Sequence, residues 1–299
     1  MHIERDPQDR RLPEIPPPDE QIRVIIDTDA KNEIDDQFAL TLAVLSEERF
    51  DIEGFVATHF DNDHGGHDSI AQSAREIETV LEKTGKSGHW PVKHGSHPLR
   101  YSDEPRPSDG VDFIIDRAMD GDPEDPLWVI GLGAATNMAS AMLTEPRIVD
   151  RVVAFWHLRT NWPDRCTNFN VFNDVRAARL LFHSPLPFVL FDTGGHLNCP
   201  MPESERHIAP YGEIGRYLHE FRTGNPWFAD PEKGLYDLGD IAAILDPSIA
   251  EWEEAECPSI GWDLSYRFEG ELGQVLRCRD IDRDETFDRL YRALREHFG

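Results

Sequence analysis

The chain has 299 residues, and 57 acidic side chains against 30 basic ones leave a formal charge of −27. A surface this acidic repels phosphate backbones and anionic membranes, because nucleic-acid binders carry a basic footprint. Cations and small molecules stay open as partners.

Of the 30 basic residues 25 are arginine, which fits a well-hydrated acidic protein, with a salt-adapted source as a second reading. Cys166, Cys199, Cys257 and Cys278 are widely spaced with no CxxC pair, which argues against a zinc ribbon, a redox motif or a disulfide scaffold. The N-terminal MHIERDPQDRRLPEIPPPDE has no apolar signal core, and no apolar run approaches the ~20 residues that span a bilayer. The expectation is a cytoplasmic protein with reduced thiols. Residues 1–21, with Pro16, Pro17 and Pro18 in succession, read as a flexible or surface-draped lead-in to a single domain over 22–299.

From Arg23 the text becomes strand, loop and helix: RVIID, a polar turn, then DDQFALTLAVLS with apolar residues at helical spacing. The unit recurs. FDIEGFVATHF predicts a strand, SIAQSAREIETVLEKTG a helix, PLWVIGLGA a strand and TNMASAMLTE a helix. RIVDRVVAFW and PLPFVLFD predict two more strands, and IAPYGEIGRYLHEFR a helix before a loop rich in aromatics. The tail predicts strands near SIGWDLSYRF and GQVLRCRDI and a closing helix, DETFDRLYRALREHF. Continuous apolar strands alternating with amphipathic helices indicate an α/β fold, a mostly parallel sheet covered on both faces. Ligands bind such sheets outside the carboxyl ends of the strands, so residues just after each strand are the candidates for chemistry.

At the end of the first strand Asp27, Asp29, Glu33, Asp35 and Asp36 place five carboxylates within ten residues. Helix capping accounts for two of them at most. So many acids at the mouth of a buried strand repel one another unless a cation or shared protons compensate, and oxygen-only ligands favour Ca²⁺ or Mg²⁺. A DxD after the first strand also opens phosphatases of the haloacid-dehalogenase class, but Ala30 and the immediate Asp35-Asp36 pair depart from that pattern.

After the second strand, HFDNDHGGHD carries His59, His64 and His67 without the spacing of an isolated metal loop, although Asn62 or Asp63 can reach the neighbouring acids. GLGAATN is a glycine-rich turn that serves a phosphate, a close backbone approach or a carbonyl turned toward an ion. TNWPDRCTNFNVFND holds Asn161, Asn168, Asn170 and Asn173, groups that donate and accept as sugar hydroxyls require, or ordinary turn residues. YDLGDIAAILDPS puts Asp237 and Asp240 at the start of an apolar helix, as caps or as a distant carboxylate for the first cluster. Tyr211, Tyr217, Trp227 and Phe228 are stacking candidates that serve equally as core.

In this order DTDAKNEIDD, GAATN, NFN, and YD followed by DP resemble the inosine-uridine preferring nucleoside hydrolase family, whose pattern is DxDxxxDD, GxxTN, EFN, and HD before a helix ending in DP. The resemblance runs from about residue 23 to the C-terminus. It implies a Ca²⁺-dependent N-ribohydrolase acting on a nucleoside or related N-riboside, in a homo-oligomer, either dimer or tetramer. By the same resemblance the ion is held by Asp29, Asp36, the Thr136 carbonyl and Asp237, and the sugar by Asp35 and Asn170 with Asn161, Asn168 and Asn62. Asp29 is then the general base.

The chain departs from the family in three places. AKNEI lengthens the opening loop by two residues, Asn168 replaces the glutamate of EFN, and Tyr236 replaces the histidine that serves some members as leaving-group acid. Tyr236 is therefore the candidate on the leaving-group side, although a phenol is a weaker acid than an imidazolium. A noncatalytic calcium- and ribose-binding homologue is the rival reading.

Overall fold

The computed structural model describes residues 6–63, 65–226 and 228–299. Its centre is an eight-stranded sheet in the order β3-β2-β1-β4-β5-β6-β12-β9. These strands are β1 (Ile22–Thr28), β2 (Phe50–Ala57), β3 (Val92–His94), β4 (Leu127–Gly131), β5 (Val152–Leu158), β6 (Phe188–Asp192), β9 (Ala250–Glu256) and β12 (Gln274–Ile281). All neighbours pair in parallel except β12 with β9, which closes one edge antiparallel. Two short antiparallel ribbons stand apart, β7 (Asn198–Pro200) with β8 (Glu232–Gly234) and β10 (Ser259–Ile260) with β11 (Tyr266–Arg267).

Ten helices are described: α1 (Asp35–Val44), α2 (Ser69–Lys83), α3 (Asp109–Asp120), α4 (Thr136–Thr144), α5 (Phe169–Asn173), α6 (Val175–Phe182), α7 (Met201–His207), α8 (Gly212–Gly224), α9 (Leu238–Leu245) and α10 (Arg283–Phe298). Apolar faces from α1, α2, α8, α9 and α10 build one core, which includes Phe38, Leu42, Ile77, Ile241 and Phe287. The other face of the sheet is covered by α3, α4 and α6, around Ile114, Met138 and Phe182. The central strands are buried on both faces for this reason, and their sequences are continuous apolar runs.

Three local expectations need correction. RIVDRVVAFW is not one strand: Pro146–Asp150 forms a 3-10 turn and β5 starts at Val152. Pro146 sets that turn, and Glu145 accepts from the Arg147 amide. The helix read from Ile208 begins at Gly212, because 208–211 close α7 and turn into α8. In the SIGWDLSYRF region only two residues on each side pair.

Residues 6–21 lie against the domain. Arg10 donates to the carbonyls of Phe182 at 2.6 Å and Ser184 at 2.5 Å, and the buried Arg49 holds the carbonyls of Pro16, Pro17 and Glu20. No described helix is long and apolar enough to cross a membrane.

Strand order reverses beside β1: β2 and β3 lie on one side of it, β4 and β5 on the other. The carboxyl ends of β1 and β4 flank the crevice that such a reversal opens.

Candidate active site

The two aspartates of the DTD opening have different fates. Asp27, still inside β1, accepts from the Thr58 hydroxyl and, at 2.8 Å, from Asn137 Nδ2, so its carboxyl is committed to joining β1, β2 and α4. Burial raises its pKa to about 7 against those two hydrogen bonds. Asp29, just past the strand, is 2 % exposed, and its Oδ2 is buried without a hydrogen-bond partner. A buried orphan oxygen costs several kcal/mol unless something absent from the chain meets it.

The loop after Asp29 turns through an Asn32 N–H to Asp29 carbonyl bond of 2.7 Å and delivers Asp35 and Asp36 as the first residues of α1. Asp237 arrives from the amino end of α9, and Asp35, Asp36 and Asp237 each present an oxygen within 4.8 Å of the others. Thr28 donates to Asp36, and the Tyr236 amide donates to Asp35 Oδ2 at 3.2 Å. Burial first, then mutual repulsion, pushes Asp29 and Asp237 well above the usual carboxylate range and Asp36 to about 7. The chain alone must hold protons here. The orphan oxygen and the oxygen-rich donor set fit a hard divalent cation in their place.

The cluster floors a cavity of about 570 Å³ lined by Asp29, Asp35, Asp36, Asn62, Asn168, Asn170, Tyr236 and Asp237, all sequence candidates. Asn168 caps α5 by accepting from the Asn170 amide at 2.7 Å, and Asn170 Nδ2 donates to the carbonyls of Leu132 at 2.7 Å and His157 at 3.1 Å. Asn62 Nδ2 donates to Asn32 Oδ1 at 2.7 Å.

Two candidates are not in the lining. Asn161 is exposed, and its backbone closes a tight loop with Asp164 and Arg165. Thr136 is fully buried, its hydroxyl donating to Asp174 at 2.7 Å and meeting His59 Nε2 at 2.9 Å. As the first residue of α4 it points its carbonyl down that helix, away from the strand ends. Leu132, directly after β4, lines the cavity instead.

Of the aromatic candidates, Phe228 lines the cavity; Tyr217 donates to Glu76, Tyr211 packs on the core, and Trp227 lies outside the described residues. His64 also lies outside them. His67 sits near His97 and is not in the cavity lining.

The lining also holds three basic residues that no sequence motif points to. His157, next to last in β5, holds Asp240 Oδ2 at 2.6 Å and Asp237 Oδ1 at 3.4 Å. Burial opposes its charge, but Asp240 outweighs burial and the imidazole pKa is raised. Lys233 is paired with Glu33 at 2.6 Å, and Arg159 lies 3.8 Å from the Tyr236 ring centroid. His157 and Arg159 both stand at the carboxyl end of β5, where the strand-end rule points, but neither belongs to a local motif.

The inosine-uridine preferring nucleoside hydrolase model matches residues 24–260. The inosine-uridine preferring nucleoside hydrolase of Crithidia fasciculata is 26% identical over 192 residues, which cover 60% of this chain and 59% of that protein. Among solved structures, a plant nucleoside hydrolase, PpNRh1, has a TM-score of 0.72 at 17% identity, covering 92% of this chain and 99% of its own. The purine-preferring ribonucleoside hydrolase of Gardnerella vaginalis has a TM-score of 0.71 at 18% identity, covering 92% and 98%. These structures share the α/β fold, and the family match sets the phosphatase reading aside. The acid cluster at the sheet reversal and a match over residues 24–260 lead to one conclusion: the chain belongs to the inosine-uridine preferring nucleoside hydrolase family.

Proposed function

We propose that the protein hydrolyses the N-glycosidic bond of a ribonucleoside or related N-riboside with the help of Ca²⁺, releasing ribose and the free base. The observation that carries this reading is the buried, unpartnered Oδ2 of Asp29, whose carboxyl lies close enough to Asp35, Asp36 and Asp237 to feel their charges. Breaking the bond builds an oxocarbenium-like ribosyl cation, which needs an oriented water, nearby negative charge and an outlet for the base.

The residues supply these in turn. Asp29, Asp36 and Asp237, with the Leu132 carbonyl at the end of β4, form the cation-holding side. Bound there, Ca²⁺ supplies an oriented, more acidic water and a grip on vicinal hydroxyls. Asp29 takes the proton of the attacking water. With its amide committed to two carbonyls, Asn170 offers Oδ1 to a sugar hydroxyl, while Asn168, its oxygen committed to the α5 cap, offers its amide hydrogens. Asp35 and Asn62 complete the sugar side, and hydroxyl binding becomes positioning. Tyr236 and Phe228 stand where a base would leave. Dimer or tetramer assembly and a cytoplasmic role in base salvage belong to the same proposal.

The test is Asp29→Asn. Release of ribose should fall by about 10³-fold, as expected for loss of a general base, while ribose binding is largely retained. Unchanged turnover and unchanged binding would remove this pocket from the reaction. Ribose and calcium binding without turnover in the wild type would favour the noncatalytic homologue.

A further inference from the structure

Arg159 follows β5 and is exposed at the rim of the cavity. Among the described residues it makes no hydrogen bond or ion pair, and its one close partner is the Tyr236 ring, 3.8 Å from the guanidinium carbon. The other cationic groups lining the cavity are spoken for, Lys233 by Glu33 and His157 by Asp240. A guanidinium carries its five donors in its own plane, so stacking on a ring fixes the group without consuming them. That leaves a positioned fork of free N–H donors beside Tyr236, the residue that the hydrolase reading puts on the leaving-group side. Neutral nucleosides do not require such a group. A carboxylate or phosphate does, since it matches the fork two bonds at a time.

We propose that Arg159, held on the Tyr236 ring, determines specificity by receiving an oxyanion of the substrate, so that the preferred N-ribosides are anionic. This inference rests on the hydrolase reading above. The oxyanion belongs either to the leaving base, as in a pyridine or pyrimidine carboxylate, or to a 5′-phosphate, and the chemistry at Arg159 is the same. A formal charge of −27 disfavours anions at every other approach, so a preference for the anionic partner is diagnostic of a local cation.

The test compares kcat/KM of the calcium-loaded protein within three pairs: nicotinate riboside against nicotinamide riboside, orotidine against uridine, and uridine 5′-phosphate against uridine. The wild type should favour the anionic member of at least one pair by about 10- to 100-fold, the range of a hydrogen bond to a charged group, with the preference weakening in high salt. Arg159→Gln should bring that ratio below one, and Arg159→Lys should restore part of it, as a point charge without the fork. The pair that responds locates the oxyanion on the base or on the 5′ carbon. Preference for the neutral member of every pair, or a ratio that Arg159→Gln does not change, overturns the proposal. If no riboside of either kind is cleaved, the hydrolase reading fails instead. Calorimetric binding of the same pairs then decides: an anion preference lost in Arg159→Gln supports the site, and equal or absent binding overturns it.

Discussion

Asp29 is held in place by a glycine. A Cβ built on Gly133 would stand 3.0 Å from Thr58 Cγ2 and 3.1 Å from Asp29 Cγ, so the turn after β4 is bare because the acid at the end of β1 needs that space. The Gly133 carbonyl accepts from the Trp156 indole at 2.8 Å, which keeps the backbone from backing away. Gly133→Ala must therefore push on Thr58 or on Asp29. The expected cost to folding is about 1–2 kcal/mol, the usual penalty of overpacking a tight site. The expected cost to turnover is larger, on the order of 10²-fold, because small displacements of a reacting group are expensive. Denaturant midpoints and kcat/KM measured on the same preparation check this, and a variant with lowered stability but intact turnover would disconnect Gly133 from Asp29.

At the level of elements, α1 is buried along all ten residues because it lies between the sheet and α8, α9 and α10. The price of placing it so deep is a strong tie at its far end. Arg49, 1 % exposed, donates to the Ile244 carbonyl at 3.0 Å and to the carbonyls of Pro16, Pro17 and Glu20, binding the N-terminal segment to the last turn of α9. Arg49→Ala leaves those carbonyls without their donor and should destabilise the fold by about 3 kcal/mol, taking hydrogen bonds to a charged group at their usual worth. Limited proteolysis should then cut within residues 6–21 first. An equally protected segment would mean that packing of Ile15, not the arginine, holds it.

The same elements separate what the sequence discloses from what it conceals. The strands β1, β4, β5 and β6 are readable because burial on both faces makes them largely continuous apolar runs, and β2 because its alternating start, Phe50 to Ile52, leads into the buried Phe55–Val56–Ala57. AEWEEAE, the antiparallel edge strand β9, is interrupted by four acids and offers no such run, and β3 is only three residues, two half-buried and one exposed. The Asp29, Asp35 and Asp36 group was readable because it is local. His157, Arg159 and Lys233 join it only through sheet order and the β7-β8 ribbon, which spacing does not record. Asn161 lies outside the lining, and a turn that uses its backbone looks, in sequence, like one that offers its side chain.

Across the whole molecule, stability, pH and the cation are linked through the buried acids. Burial holds Asp27 and Asp36 at about 7 and Asp240 at about 6, against 3.8 in the unfolded chain. Between those limits the folded state binds more protons than the unfolded state, so stability falls as pH rises, and it is fully present only below the unfolded values. His59 opposes this, because burial lowers it from 6.5 to about 3 and folding then favours higher pH across that interval. Above about 6.5 the opposition is spent, and His157, raised by Asp240 against burial, adds to the decline. With a chelator present, the melting temperature should therefore drop as pH rises from about 6.5 through the value of about 7 at which Asp27 and Asp36 titrate in the folded state. Calcium replaces the protons that the acids otherwise hold, so the drop should shrink when it is added. At 100 times its Kd the ion should contribute about 2.7 kcal/mol. Its binding near pH 7 should release protons, measurable by calorimetry in buffers of different ionisation enthalpy. Melting curves that ignore both chelator and calcium across this window would show that the acids keep their protons without help from the ion, and that the orphan oxygen of Asp29 is not a ligand in waiting.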